Sequence, residues 1–174
     1  MSEPGGLPVK AWRPAYVGIG SNLGEPLRQV DAAFDALAAL PDTRLVARSS
    51  RFRSAPLAGM QQPDYVNAAA ALLTRLGPED LLAHLKSIET GFGREPGGER
   101  WGPRVLDLDL LAYSNERRDG PALTLPHPGL AARNFVLLPL RELAPDLVVP
   151  GLGRVGSLPV ADEPRITRME AEGA

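Results

Sequence analysis

Two aspartates, Asp107 and Asp109, stand one residue apart in the run Arg104-Val105-Leu106-Asp107-Leu108-Asp109. In an extended strand alternate side chains share a face, so both carboxylates point one way and Leu106, Leu108 and Leu110 point the other. Their backbones lie roughly 7 Å apart, so their oxygens can converge on one or two cations. Mg2+ typically takes one or two carboxylates and completes its shell with substrate phosphates and water. The plain alternative is a pair of acids lining the wet face of a sheet. Aspartate is disfavoured in strands, however, and two on one face repel, so a cation or nearby arginines should offset that cost. Arg94, Arg100 and Arg104 flank the glycine-rich loop that leads straight into the pair. Arginine grips phosphate oxygens in a fork and keeps its charge. A metal site beside an arginine cluster is the equipment of phosphoryl transfer, where positioning and charge neutralisation do most of the work.

Other side chains suit a flat, polar-edged ligand. Trp101 lies in the same loop, and Tyr65 and Phe135 lie elsewhere; each serves a core as readily as it stacks on a heterocycle. Asn67, two residues after Tyr65 on the same strand face, offers both a donor and an acceptor to a heterocycle edge. His127 sits in the rigid turn Leu125-Pro126-His127-Pro128, a better functional position than that of His84 on a helix boundary. Glu89 falls near a helix C-terminus, where negative charge is unfavourable without an arginine or ligand partner.

Composition narrows the classes. The chain has 174 residues, enough for one domain with a real core. It has no cysteine, which excludes disulfides, thiolate metal sites and cysteine nucleophiles. With only two histidines, a multi-histidine zinc site is not expected, and a hard-cation oxygen site remains open. The formal net charge of -2 gives no global attraction to nucleic acid, so a phosphate ligand needs a local basic cluster. No apolar run approaches the roughly 20 residues needed to span a bilayer. The N-terminus has no signal core, so a cytoplasmic location is the default expectation. The oligomeric state is open from sequence, with a monomer the default.

The elements that must position these residues follow from pattern. Residues 15–20 read as a buried strand entering the tight turn Gly20-Ser21-Asn22-Leu23-Gly24. Pro26 suits a first helical turn, Leu27, Val30, Phe34 and Leu37 give that helix an apolar face, and Pro41 ends it. Residues 45–52 and 66–73 read as strands joined by a proline- and glutamine-rich loop. A second helix begins at Gly77-Pro78 with Leu81, Leu82, Leu85 and Ile88 inward. Residues 105–113 are the clearest strand, 123–125 a short one, and 131–143 a third helix closed by Pro145. The order β-α-β-β-α-β predicts an α+β, ferredoxin-like sheet with helices packed on it. Residues 1–14 are expected to form a loose arm, 15–160 a single domain, and 161–174 a fraying tail.

Several motifs in this order resemble one family. They are Gly20-Ser21-Asn22-Leu23-Gly24, Gln62-Pro63-Asp64-Tyr65-Val66-Asn67-Ala68, Glu99-Arg100-Trp101-Gly102-Pro103-Arg104, Asp107-Leu108-Asp109, Pro126-His127-Pro128 and Arg133-Asn134-Phe135. Together they are similar to the 6-hydroxymethyl-7,8-dihydropterin pyrophosphokinases of folate biosynthesis, over about residues 15–151. The resemblance implies a ferredoxin-like α/β/α sandwich with a mostly antiparallel sheet. It implies transfer of the β,γ-diphosphate of ATP to the pterin hydroxymethyl group, with release of AMP. By the same resemblance Asp107 and Asp109 bind two Mg2+ ions, and Arg94 and Arg104 grip the triphosphate. Glu89, Trp101, Leu110, Thr124 and His127 join Arg94 and Arg104 in the ATP site. Tyr65 and Phe135 sandwich the pterin, while Asn67 and groups around Ser54, Ala55 and Leu57 read its edge; Arg133 assists the pterin or a loop. Loops at 20–26, 55–64 and 91–103 would close over the substrates.

The chain departs from relatives at Pro96-Gly97-Gly98, Ala122 and Pro128, where basic or aromatic residues also occur; these changes bear on ATP binding or loop closure. Two other readings use the same residues. One is a nucleotide- or pterin-binding module without catalysis, which loss of Arg94 or Arg104 would have signalled. The other is a metal-dependent nuclease, which lacks its expected long basic stripe here.

Overall fold

The computed structural model describes residues 8–56, 60–93 and 105–170. Among these, the chain runs β1 (Pro8–Ser21), α1 (Pro26–Ala38), β2 (Thr43–Arg48), β3 (Phe52–Ser54), β4 (Tyr65–Leu76), α2 (Pro78–Gly91) and β5 (Asp107–Tyr113). It continues through β6 (Arg118–Asp119), β7 (Thr124–Leu125), α3 (Asn134–Leu143), β8 (Val148–Val149), β9 (Gly153–Arg154) and β10 (Ile166–Arg168). The main sheet has the order β10-β3-β4-β1-β5, with β2 also paired to β4. All of its ladders are antiparallel.

Two crossovers, β1-α1-β2 and β4-α2-β5, explain the layers. Both helices bury their stripes in one core with Ala15, Val17 and Ile19 of β1. On α1 the buried residues are Val30, Ala33, Phe34 and Leu37, the spacing of one helical face, and Pro26 opens its first turn. The other sheet face packs on α3 through Leu137, Leu140, Leu130 and Leu111. Ala68, Ala69 and Ala70 are buried on both faces of β4, and their small side chains let helices approach from either side. The result is an α/β/α sandwich with the ferredoxin-like split β-α-β topology.

One irregularity shapes β5. Val17 pairs with Leu110 and Tyr16 with Ala112, so Leu111 is an extra residue, a β-bulge. Leu110 packs in the α1/α2 core and Leu111 in the α3 core, after which Tyr113 returns to the α1/α2 side. Its hydroxyl donates to the Leu76 carbonyl.

Several sequence expectations change. The stretch 45–52 is two strands: β2 and β3 pair with different parts of β4, separated by a break at residues 49–51. β1 begins at Pro8, inside the expected arm, because its backbone pairs with β4 as far as Leu76 while residues 11–14 stay exposed and leave no apolar signal. β10 lies beyond residue 160, in the expected tail, held by a backbone ladder to β3. The third helix starts at Asn134, three residues later than its pattern suggests, because Arg133 is extended (φ -105°, ψ 113°). On α2 the deeply buried positions are Leu81, Leu85 and Glu89, so an acid lies deeper than the expected Ile88.

Candidate active site

Asp107 and Asp109 begin β5, the edge strand beside β1. They are partly exposed, whereas Leu106, Leu108 and Leu110 are at most 4% exposed, so the alternation predicted from sequence holds. Across the ladder Asp107 pairs with Gly20 and Asp109 with Gly18. Gly20 in turn pairs with Asn67, and Asn67 with Phe52. The glycines leave a low floor between the carboxylates and the polar groups of β4 and β3. A Cβ at Gly18 would already meet a Leu111 methyl at 3.3 Å.

Above this floor lies a cleft of about 610 Å³. Asp107, Asp109, Glu89, Thr124 and His127 line it on the β5 side, and Ser54, Ala55, Tyr65 and Phe135 on the side of β3, β4 and α3.

The acidic wall is held by hydrogen bonds. Glu89 is 5% exposed, and its Oε2 accepts the Leu108 N–H at 2.7 Å. That N–H lies between the two aspartates on the outer edge of the sheet, where no further strand meets it among the described residues. The Glu89 carboxylate thus completes the hydrogen bonding of the strand that carries the pair, which accounts for its burial near a helix C-terminus. His127 Nδ1 accepts the Gly129 N–H at 3.0 Å. In the neutral ring the proton therefore sits on Nε2, which lies 3.7 Å from Asp109 Oδ1. The His127 backbone N–H donates to the Leu111 carbonyl at 2.9 Å, tying the turn to β5. Arg133 also lines the cleft. Its side chain lies over Gly129, where a Cβ would come within 2.8 Å of Arg133 Cδ and Nε, so a larger residue at 129 would displace the arginine side chain from this place.

A metal can be weighed against this donor set. Among the described residues no three His, Asp or Glu side chains converge as a metal cage. A carboxylate pair open to a cleft fits Mg2+, which draws its remaining ligands from phosphate and water. It does not fit a closed structural zinc site.

Of the residues expected from sequence, Ser54, Ala55, Tyr65, Glu89, Asp107, Asp109, Leu110, Thr124, His127 and Phe135 all line the one cleft. Asn67 lies beneath its edge, 3% exposed, donating to Ser54 Oγ at 2.8 Å and more weakly to the Phe52 carbonyl at 3.4 Å. Leu57, Arg94, Trp101 and Arg104 fall outside the described residues.

Sequence reasoning missed Met60, Leu82, Lys86 and Leu123, which also line the cleft. Lys86 stands four residues after Leu82 and three before Glu89, so its helix face follows once Glu89 is placed. It also missed two long-range ties. Asn22 Nδ2 donates to Gln62 Oε1 at 3.0 Å and to the Pro63 carbonyl at 3.2 Å, joining the first turn to the approach to Tyr65. Gln29 Nε2 reaches Ser21 Oγ, the Leu23 carbonyl and the Val105 carbonyl, which Ser21 Oγ also contacts. No local pattern could announce a bond spanning 76 residues.

Comparison with known proteins gives one answer. The family model described as 7,8-dihydro-6-hydroxymethylpterin-pyrophosphokinase matches residues 16–145. A 2-amino-4-hydroxy-6-hydroxymethyldihydropteridine pyrophosphokinase of Pseudomonas aeruginosa is 52% identical over 135 residues, 78% of this chain and 83% of that protein. The protein of the same name from Methylorubrum extorquens is 43% identical over 156 residues, 90% of this chain and 98% of its own. Among solved structures, a Plasmodium falciparum HPPK-DHPS triple mutant superposes with a TM-score of 0.65 over 90% of this chain at 13% identity. The chain covers 44% of that structure's length, and the likeness bears on the fold alone. On the family match and these relatives, the chain belongs to the 7,8-dihydro-6-hydroxymethylpterin-pyrophosphokinase family.

Proposed function

We propose that this chain transfers the β,γ-pyrophosphoryl group of ATP to the hydroxymethyl group of 6-hydroxymethyl-7,8-dihydropterin, as a Mg2+-dependent step of folate biosynthesis. The observation that carries this reading is the joining of an aspartate pair and two aromatic rings in one cleft of about 610 Å³. A pocket of that size suits small-molecule substrates.

In this reading Asp107 and Asp109 hold two Mg2+ ions. Bound there, they would neutralise phosphate charge and bring the nucleophile to the phosphorus. Glu89 keeps the strand between the carboxylates from shifting, through its bond to Leu108 N–H. His127 presents an Nε2–H beside Asp109, a donor suited to a phosphate oxygen. Arg94 and Arg104 grip the triphosphate, and Trp101, Leu110 and Thr124 border the nucleotide. Tyr65 and Phe135 stack on the pterin, while Ser54, Ala55, Leu57 and Asn67 read its edge.

The pterin hydroxymethyl oxygen bonds to the β phosphorus. The bond from that phosphorus to the α,β-bridging oxygen breaks, and AMP leaves with that oxygen. The hydroxyl proton passes to water. In this reading the enzyme works as a monomer in the cytoplasm.

The test is product analysis with ATP, Mg2+ and the pterin. AMP and pterin diphosphate are the expected products; ADP as the sole nucleotide product would overturn the proposed site of attack. Chelation of divalent metal should stop turnover and added Mg2+ should restore it.

A further inference from the structure

We infer that the C-terminal segment 161–169 is a positioning strap for the pterin side of the cleft, fastened by Asn134. The inference rests on the reading of Ser54, Ala55 and Phe135 as pterin contacts.

β3 is three residues long and carries Ser54 at its end. It has β4 on one side, and β10 supplies its other neighbour through the pairs Ile166–Ser54, Thr167–Arg53 and Arg168–Phe52. The ladder extends beyond the strand at both ends. Ala55 N–H donates to the Arg165 carbonyl at 2.9 Å, and Met169 N–H to the Arg51 carbonyl at 2.8 Å. Without this segment a three-residue strand would stand at the sheet edge with Ala55 N–H unpaired.

Apolar burial alone does not hold the strap. Among residues 161–170 Pro164 is the one buried residue, and Ile166 and Met169 are half-buried. The fastening is polar and comes from the two ends of α3. At its first residue, Asn134 Nδ2 donates to the Ala161 carbonyl at 3.0 Å and to the Pro164 carbonyl at 2.7 Å. At its far end Glu142 accepts the Ser50 N–H at 2.7 Å and pairs with Arg168 Nε at 3.3 Å.

Asn134 is 1% exposed, and its Oδ1 has no partner among the described residues. A buried unpaired acceptor is costly, yet the same side chain spends both amide hydrogens on the strap. Its neighbour Phe135 lines the cleft. One residue therefore ties the segment that braces Ser54 and Ala55 to the helix start that presents Phe135. The spacing between an edge-reading backbone and a stacking ring is set by that tie, and the acidic wall does not share it.

The test measures KM for each substrate in the wild type, Asn134→Ala, Asn134→Asp and a chain ending at Val160, with unfolding transitions recorded alongside. The aspartate is nearly isosteric but sets carboxylate oxygens against two carbonyls. Asn134→Asp is expected to raise the KM for the pterin about tenfold, more than Asn134→Ala does, and to leave the KM for ATP unchanged. An unchanged pterin KM in Asn134→Asp, or equal rises for both substrates, would overturn the proposal. If the shortened chain does not fold, the point variants decide. Phe135→Ala in the same assay separates two failures. If it raises the pterin KM and Asn134→Asp does not, the strap alone is refuted. If neither does, the pterin pocket is misplaced and the strap falls with it.

Discussion

The two walls of the cleft are built differently. The acidic wall is compact in sequence: Asp107, Leu108 and Asp109 share a strand, Glu89 precedes Leu108 by 19 residues, and His127 follows shortly after. The aromatic wall is gathered from distant stretches, with Ser54 on β3, Tyr65 on β4, Phe135 on α3 and the brace of β10. Binding a cation needs carboxylates at one spacing, which a single strand supplies. Holding a flat ring needs two opposed plates, and opposition across a gap is a property of the tertiary structure.

The sharpest way to break this contrast is at the acids. Asp107→Ala and Asp109→Ala should each lower kcat by about a thousandfold or more, with the unfolding transition unchanged. Wild-type turnover in either variant, read by AMP release, would remove the acidic wall from the chemistry. On the other wall, Phe135→Ala should weaken pterin binding by about 10- to 100-fold, by analogy with stacked bases, with ATP affinity retained. Titration calorimetry with each ligand checks this, and a matching loss of ATP affinity would mean that the walls are not separate.

Smaller effects sharpen the comparison. Glu89→Ala leaves the Leu108 N–H without its acceptor and should cost about 1–3 kcal/mol of stability in denaturant unfolding, together with a fall in kcat. An active enzyme of undiminished stability would show that the bond does not brace the pair. Tyr113→Phe, below the cleft, should cost only about 1 kcal/mol and leave both KM values alone. Burial first, then the Glu116 charge, raises the Tyr113 pKa above its ordinary 10.0. The unfolded chain therefore loses this proton at a lower pH than the folded one. The stabilisation is intact below pH 10 and declines as pH rises through the folded value. The phenylalanine variant should show a correspondingly shallower alkaline loss in thermal unfolding.

What could be read from sequence divides along the same line. Asp107 and Asp109 were legible because strand alternation is local and aspartate is out of place there. The β-α-β-β-α-β order was legible because Val30, Phe34 and Leu37, or Leu81 and Leu85, repeat with helical spacing. The aromatic wall was reached through family resemblance; Tyr65 and Phe135 alone looked as much like core residues. β10 was invisible because its hold is main-chain hydrogen bonding, which every non-proline residue can make and none advertises. Arg133 breaks the third helical pattern early by staying extended, and nothing in Ala131-Ala132-Arg133 signals that. The ties of Gln29 to Val105 and of Asn22 to Gln62 were missed because those partners lie 76 and 40 residues away.

The bulge at Leu111 bears on any attempt to transplant this site. Up to Leu110 the strand keeps one phase, and from Ala112 it keeps the opposite phase relative to its partner. Residues 106–110 are therefore the portable unit, and residues beyond Leu111 belong to the host's own register. A graft of all seven β5 residues onto an unbulged strand would turn the Tyr113 phenol out of its core and onto the aspartate face. Deleting Leu111 here would instead restore unbroken pairing, keep Tyr113 opposite Ala15 in its core and remove only the leucine that packs on the α3 side, while the carboxylates stayed in position.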